Sequence, residues 1–115
     1  MSLVVLKLGG RVAVEEAAQA RVLRERGDEV VVVHGAGPQI TAELERRGIE
    51  AMFVDGRRVT TPAILEVVRE SLQTVNDDVC TAIGPDAVGL MGDRIGLAAR
   101  PVGALGLVGD PEPSS

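Results

Sequence analysis

The chain has 115 residues, 45% of them hydrophobic, with a single aromatic (Phe53) and a formal net charge of -5. That length gives one small domain or part of a larger one, and without a basic track or stacking rings it argues against nucleic-acid binding. One cysteine, Cys80, excludes an intrachain disulfide and suits a reducing compartment. The N-terminal apolar run is too short for a membrane span or a secretion signal, so no membrane partner and a cytoplasmic location are the default expectation.

Residues 3–8, Leu-Val-Val-Leu-Lys-Leu, read as a strand buried on both faces of a parallel sheet. Lys7, the only lysine, interrupts that run, and Gly9-Gly10 follow at once. Residues 12–26 predict a helix with Val14, Ala18 and Val22 on its inner stripe. Glu15 and Glu16 lie in its first turn, Arg24 and Arg26 in its last, and Gly27 ends it. Residues 29–34 form a second strand that closes on the only histidine, His34. Gly35-Ala36-Gly37 turn the chain, and Pro38 opens a helix with Ile40 and Leu44 inward. Glu43 and Arg47 are spaced to pair outside, and Gly48 is the stop.

Residues 51–54 predict a short strand and Asp55-Gly56-Arg57-Arg58 a loop. Thr61-Pro62 start the longest helix, to residue 82, with Ile64, Val68, Leu72, Val75 and Val79 as its apolar face and Gly84-Pro85 as its end. That face is broad enough to pack against further chain or a second subunit. Ala87-Val88-Gly89-Leu90 read as a third core strand, residues 97–108 as a hairpin around Gly103 and Gly106, and residues 109–115 as a closing loop. Strand and helix alternate, which predicts an α/β layer fold with a largely parallel sheet. The few strands make the chain look like the front part of a domain.

Three segments carry residues suited to chemistry. An ammonium at a strand's carboxyl end needs an anion or a partner if buried. Open α/β sheets bind ligands at that end, so Lys7 with Gly9 and Gly10 reads as a phosphoryl site ahead of a lysine reaching for water. Gly35-Ala36-Gly37 offers uncapped amides at a helix start, an anion site or merely a tight turn. His34 reads as a hydrogen-bonding residue of the fold, with no assignable acid or nucleophile beside it. Arg57 or Arg58 can clamp a carboxylate through two parallel hydrogen bonds, although composition alone favours a solvated loop arginine. No Walker A lysine, cysteine–histidine metal set or Gly-x-Ser-x-Gly elbow is present. A dinucleotide-binding oxidoreductase is a distant further reading, because Ile40 holds the third glycine position of that fingerprint and Pro38 crowds the turn.

In order and spacing, Lys7-Leu8-Gly9-Gly10, Val31 through Pro38, and Asp55-Gly56-Arg57-Arg58-Val59-Thr60 resemble the amino-acid kinase family, in particular its branch acting on N-acetyl-L-glutamate. Ala87 through Leu90 and Leu105 through Gly109 add less specific matches. The resemblance implies a three-layer αβα sandwich with a mainly parallel sheet, of which residues 1–115 are the N-terminal, acyl-substrate-binding part. It implies transfer of the ATP γ-phosphoryl group to the side-chain carboxylate of N-acetyl-L-glutamate in arginine biosynthesis. Mg²⁺ would be held mainly by the nucleotide phosphates, and the complete enzyme would be a homodimer. It casts Lys7 as the catalytic lysine, Gly9, Gly10 and Gly35 as phosphate-binding, and Ala36, Gly37 and Arg58 as substrate-binding. It also implies that the ATP-binding half lies outside these residues, so that this chain alone is inactive.

Two positions depart from the family pattern. Ala36 replaces a glycine, and its methyl is placed to narrow the pocket or suit a different acyl group. Met91 stands where a small polar residue is common. Other readings are a kinase of this fold acting on a different carboxylate, carbamate or phosphate, and a non-catalytic anion- or amino-acid-binding module.

Overall fold

Two strands, β1 (Leu3–Leu8) and β2 (Glu29–His34), run parallel and in register from Leu3 opposite Glu29 to Leu8 opposite His34. The computed structural model describes residues 2–112. The crossover between the strands is helical, but it is not the single helix that the sequence predicts. It divides into α1 (Ala13–Glu16) and α2 (Ala18–Glu25) at Ala17, where Ala17 N bonds Val14 O and Ala20 N bonds Ala17 O in tight three-residue steps. Its buried face is Ala13, Ala17 and Ala20. Val14, Ala18 and Val22, expected inside, are exposed. Small side chains win because α1 and α2 pack directly on the longest helix, Pro62–Ile83, and a methyl lets the helices approach closely. Gly27, at φ 95°, takes the left-handed conformation that ends the crossover.

The second helix-forming segment behaves as its sequence indicates. α3 (Gly37–Arg46) has Pro38 in its first turn and buries Ile40 and Leu44. Glu43 Oε1 accepts from Arg47 Nε at 2.8 Å, and Arg46 also bonds Glu43. Those arginine hydrogen bonds, that from Arg46 first, hold the Glu43 carboxyl down at about 2. The segment expected as a loop at 55–58 instead contributes half of a small hairpin. β3 (Phe53–Val54) pairs antiparallel with β4 (Arg57–Arg58) around Asp55-Gly56, both at positive φ. An Asp-Gly pair at positive φ matches the twist of a two-residue hairpin, which is why pairing wins over loop here.

α4 (Pro62–Ile83) starts on Thr61, whose Oγ1 accepts from Ile64 N at 3.3 Å, and ends on Gly84 at φ 126°. Its buried stripe is Ile64, Val67, Ser71, Val75 and Val79, while Val68 and Leu72 flank it half-buried. α4 packs against α1, α2 and α3, so the helices and the inner face of the strands share one core.

Two expectations are corrected here. β1 is not buried on both faces: Val4, Leu6 and Leu8 face the helices, whereas Leu3 and Val5 are exposed, as are Val31 and Val33 of β2. All the helices pack under one face of the ribbon. Among the described residues the other face carries no helix. Residues 87–90 form no strand, and Val88 and Leu90 lie exposed. That segment is laid against α4, with Gly89 so close to Asn76 that a side chain there would collide with it.

The C-terminal hairpin is real but longer than expected. β5 (Ala99–Pro101) pairs antiparallel with β6 (Gly109–Pro111), which lies in the stretch read as loop; residues 113–115 fall outside the described residues. Thr60 anchors this hairpin by donating its N–H to Leu105 O and accepting from Leu107 N, both at 2.8 Å. The result is a mixed α/β unit with one parallel pair and two antiparallel hairpins.

Candidate functional site

Because Leu8 is paired with His34, the turns that follow the two strands leave the sheet side by side. Gly10 is packed directly on the second turn: a Cβ at Gly10 would sit 2.9 Å from both N and Cα of Ala36. Only glycine permits that approach. By contrast, a Cβ at Gly9 or Gly37 would meet open space, and at Gly35 only Gly10 N at 3.9 Å. The pair of turns is therefore closed where they touch and open where Gly9, Gly35 and Gly37 face outward. α3 begins at Gly37 with no side-chain cap on its first turn, so its amides carry the partial positive charge of a helix start toward this opening.

Ala36 is buried, and its methyl belongs to the core cluster with Leu8, Ile40 and Leu44. The narrowing expected of that methyl is not found, because the side chain points into the core and leaves only backbone to the turn.

Gln39 ties the two turns together: from the first turn of α3 its Nε2 donates to Gly10 O at 2.6 Å. Its Oε1 is buried without a hydrogen-bond partner among the described residues. Sequence reasoning missed this residue. The available signal was a polar side chain one position before buried Ile40.

The hairpin arginines have different surroundings. Arg57 is engaged with the C-terminal hairpin, through Asp110 at 2.7 Å and Gly109 O at 3.4 Å. Arg58 turns toward α3: its Nη2 donates to Thr41 Oγ1 at 3.3 Å, and its guanidinium lies 4.7 Å from the centre of the Phe53 ring. Nη1 of Arg58 is buried and has no partner among the described residues, and burial pushes the guanidinium pKa down. A buried N–H of a cation left unpaired is costly, and an anion bound there would remove the cost.

Lys7 is at the strand end that the sequence indicates, but it is not buried there. It pairs with Val33 at the carboxyl end of β1 but points to the uncovered face, and it is exposed. It has no ion-pair partner among the described residues, and its ammonium is not the buried one expected. His34 is half-buried, with Nδ1 3.1 Å from Gly35 O and Nε2 3.0 Å from Asn76 Nδ2. Among the described residues no group of three or more His, Cys, Asp and Glu is arranged to hold a metal ion. No helix of the described residues is long and apolar enough to cross a membrane.

This chain is similar to several curated proteins. It is 46% identical over 126 residues to the acetylglutamate kinase of Frankia alni, a match that covers 93% of this chain and 37% of that protein. It is 46% identical over 127 residues to the acetylglutamate kinase of Clavibacter michiganensis subsp. michiganensis, covering 94% of this chain and 42% of that protein. The chain thus spans well under half the length of these curated relatives. Among solved structures, it resembles an N-acetylglutamate synthase from Neisseria gonorrhoeae complexed with coenzyme A and N-acetyl-glutamate. That match has a TM-score of 0.67 and 27% identity, over 89% of this chain and 25% of the other. The same synthase complexed with coenzyme A and L-arginine matches at a TM-score of 0.60 and 22% identity, over 78% of this chain and 23% of that one, a likeness of fold. The model of the amino acid kinase family matches residues 2–104. With its paired glycine turns set at the ends of two parallel strands, the chain belongs to the amino acid kinase family.

Proposed function

We propose that these residues are the acyl-substrate-binding part of an N-acetyl-L-glutamate kinase, and that the ATP-binding half of the enzyme lies outside them. The observation that carries this reading is the buried, unpartnered Nη1 of Arg58 close to α3, whose first turn follows the glycine turns. Relatives named for N-acetylglutamate chemistry support the choice of acid.

In this reading Arg58 grips the α-carboxylate of N-acetyl-L-glutamate, and Thr41 and Phe53 hold the guanidinium in place for it. The backbone of Ala36 and Gly37 orients the acyl group. Lys7, with the amides of Gly9, Gly10 and Gly35, stabilises the phosphoryl oxygens as the side-chain carboxylate attacks the γ-phosphorus of ATP. A carboxylate O–P bond forms, the P–O bond to ADP breaks, and no proton has to move, so no general base is needed. Such transfer is mainly alignment and positive potential. Mg²⁺, carried in on the nucleotide phosphates, supplies further neutralisation of charge. The exposure of Lys7 at the carboxyl end of β1 suits this assignment, since its ammonium is free to meet a phosphate held over the adjoining glycine turns. The further parts of the reading are a third layer of helices on the uncovered face of the sheet, a homodimeric complete enzyme and a cytoplasmic setting.

The test is acyl-phosphate formation trapped with hydroxylamine. An enzyme that contains this chain joined to its ATP-binding half is expected to consume N-acetyl-L-glutamate and ATP, while the 115-residue chain alone forms no hydroxamate. Turnover with other small acids and none with N-acetyl-L-glutamate would overturn the choice of substrate.

A further inference from the structure

We propose that Asn76, in the middle of α4, is a positioning residue for the second glycine turn and acts through the ring of His34. The proposal rests on the reading that this turn orients the acyl substrate, and it adds a residue that touches neither substrate nor turn.

The argument is one of donors and acceptors. His34 Nδ1 stands 3.1 Å from Gly35 O, and a carbonyl oxygen can only accept. Nδ1 must therefore carry the hydrogen. In the neutral ring Nε2 is then a bare acceptor, and it meets Asn76 Nδ2 at 3.0 Å, which can only donate. The other end of the amide is consistent with this sense, since Cys80 Sγ lies 3.9 Å from Asn76 Oδ1 and its S–H can donate there. The chain runs one way, from the Cys80 thiol to the Asn76 amide, from that amide to the His34 ring, and from the ring to the Gly35 carbonyl. Its effect is to select one tautomer of His34 and to fix the Gly35 carbonyl, and with it the peptide plane that leads into Ala36 and Gly37.

Two further observations fit a device for positioning better than filling of space. Asn76 is half-buried beside the stripe formed by Val75 and Val79, where an apolar side chain would serve packing alone. Gly89 covers the amide from the other side so closely that any side chain there would strike Asn76 Oδ1, with Cys80 Sγ 3.2 Å away. The amide is thus held between a helix neighbour and the 87–90 segment, on the wall of a cavity of about 340 Å³ along β2.

The test uses the fact that His34 is the only histidine, so its ring gives one set of nitrogen signals. In the 115-residue chain, ¹⁵N–¹H correlation spectra of the imidazole, recorded in mildly alkaline buffer, are expected to show Nδ1 protonated and Nε2 bare. Asn76→Leu, branched at the same carbon but unable to donate, is expected to release the ring toward the Nε2–H tautomer and to move the amide signals of Gly35, Ala36 and Gly37. Gly89→Ala, which never touches the ring, is expected to perturb the same signals by displacing the amide. A wild-type ring protonated on Nε2 alone would overturn the proposal even if neither variant folds. So would a changed tautomer in Asn76→Leu that leaves the Gly35–Gly37 amides where they were. Affinity for N-acetyl-L-glutamate is read separately and is expected to fall about tenfold in Asn76→Leu, the weight of one hydrogen bond. If the wild-type chain fails to bind that acid while the ring and amide shifts appear, the substrate reading fails and the positioning role stands.

Discussion

Gly10 and Ala36 meet backbone to backbone, and that contact sets the distance between the two turns. The space between them holds no methyl, so Gly10→Ala must push the turns apart. It is expected to destabilise the chain by about 1–3 kcal/mol, the usual cost of overpacking. Gly9→Ala, whose Cβ would meet nothing within 4 Å, is expected to stay within about 0.5 kcal/mol of wild type. Denaturant titration of the two variants side by side checks the contrast.

Arg57 and Arg58 separate by readout. Removing the Arg58 guanidinium with Arg58→Ala is expected to weaken N-acetyl-L-glutamate binding by about 10- to 100-fold, the weight of a hydrogen bond to a charged group. Arg57→Ala releases Asp110 and Gly109 of the C-terminal hairpin and is expected to leave that affinity within about twofold, because an exposed ion pair counts for little. Calorimetric titration of both variants with the acid decides the matter.

Lys7 is exposed and unpaired with any carboxylate among the described residues. Lys7→Met is therefore expected to leave the unfolding midpoint nearly unchanged, within about 0.5 kcal/mol. In the complete enzyme the same change is expected to lower kcat by about 100- to 1000-fold, as for loss of one charge-stabilising group. Equal losses in stability and rate would show that Lys7 serves the fold.

Glu43 provides a pH signature. Its carboxyl is held down from 4.5 to about 2, chiefly by hydrogen bonds from Arg46 and Arg47. A group with a depressed folded-state pKa adds stability above its unfolded value and loses it as protons bind the folded state. The contribution is thus whole above 4.5 and disappears as pH falls toward 2. Melting temperature followed from neutral pH down to about 2 is expected to fall less steeply in Glu43→Gln than in wild type.

Leu44 is fully buried between α3 and the common core. Leu44→Ala is expected to cost about 2–5 kcal/mol, measurable by denaturant unfolding.

Local signals carried much of this architecture. Proline and threonine at helix starts, glycines at helix ends, and apolar runs for β1 and β2 predict those elements within a residue or two. Spacing alone also predicts the Glu43–Arg47 pair. What was not legible depends on neighbours distant in sequence. The apolar run of β1 is what a strand covered on both sides would show, yet only the packing reveals that one side is open. The stripe of α1 and α2 was misplaced because valine is the more apolar residue, whereas close helix packing selected alanine. Residues 87–90 have the composition of a strand and find no paired edge. Within the candidate site the glycine turns were evident, but Gln39 and Asn76 were not, because each acts through a hydrogen bond across tens of residues. Arg57 and Arg58 were indistinguishable until Asp110 and Thr41 drew them apart.

The uncovered side of the β1–β2 ribbon has a consequence for how this polypeptide is born. Leu3, Val5, Val31 and Val33 lie in adjacent columns with open backbone edges on both sides. Such a surface adheres to other extended chains. These residues leave the ribosome before α4, on which the helices under the opposite side assemble. For that interval the nascent chain is a greasy template with nothing yet folded beneath it. Slow translation or high expression would therefore favour capture by chaperones or clumping over productive folding.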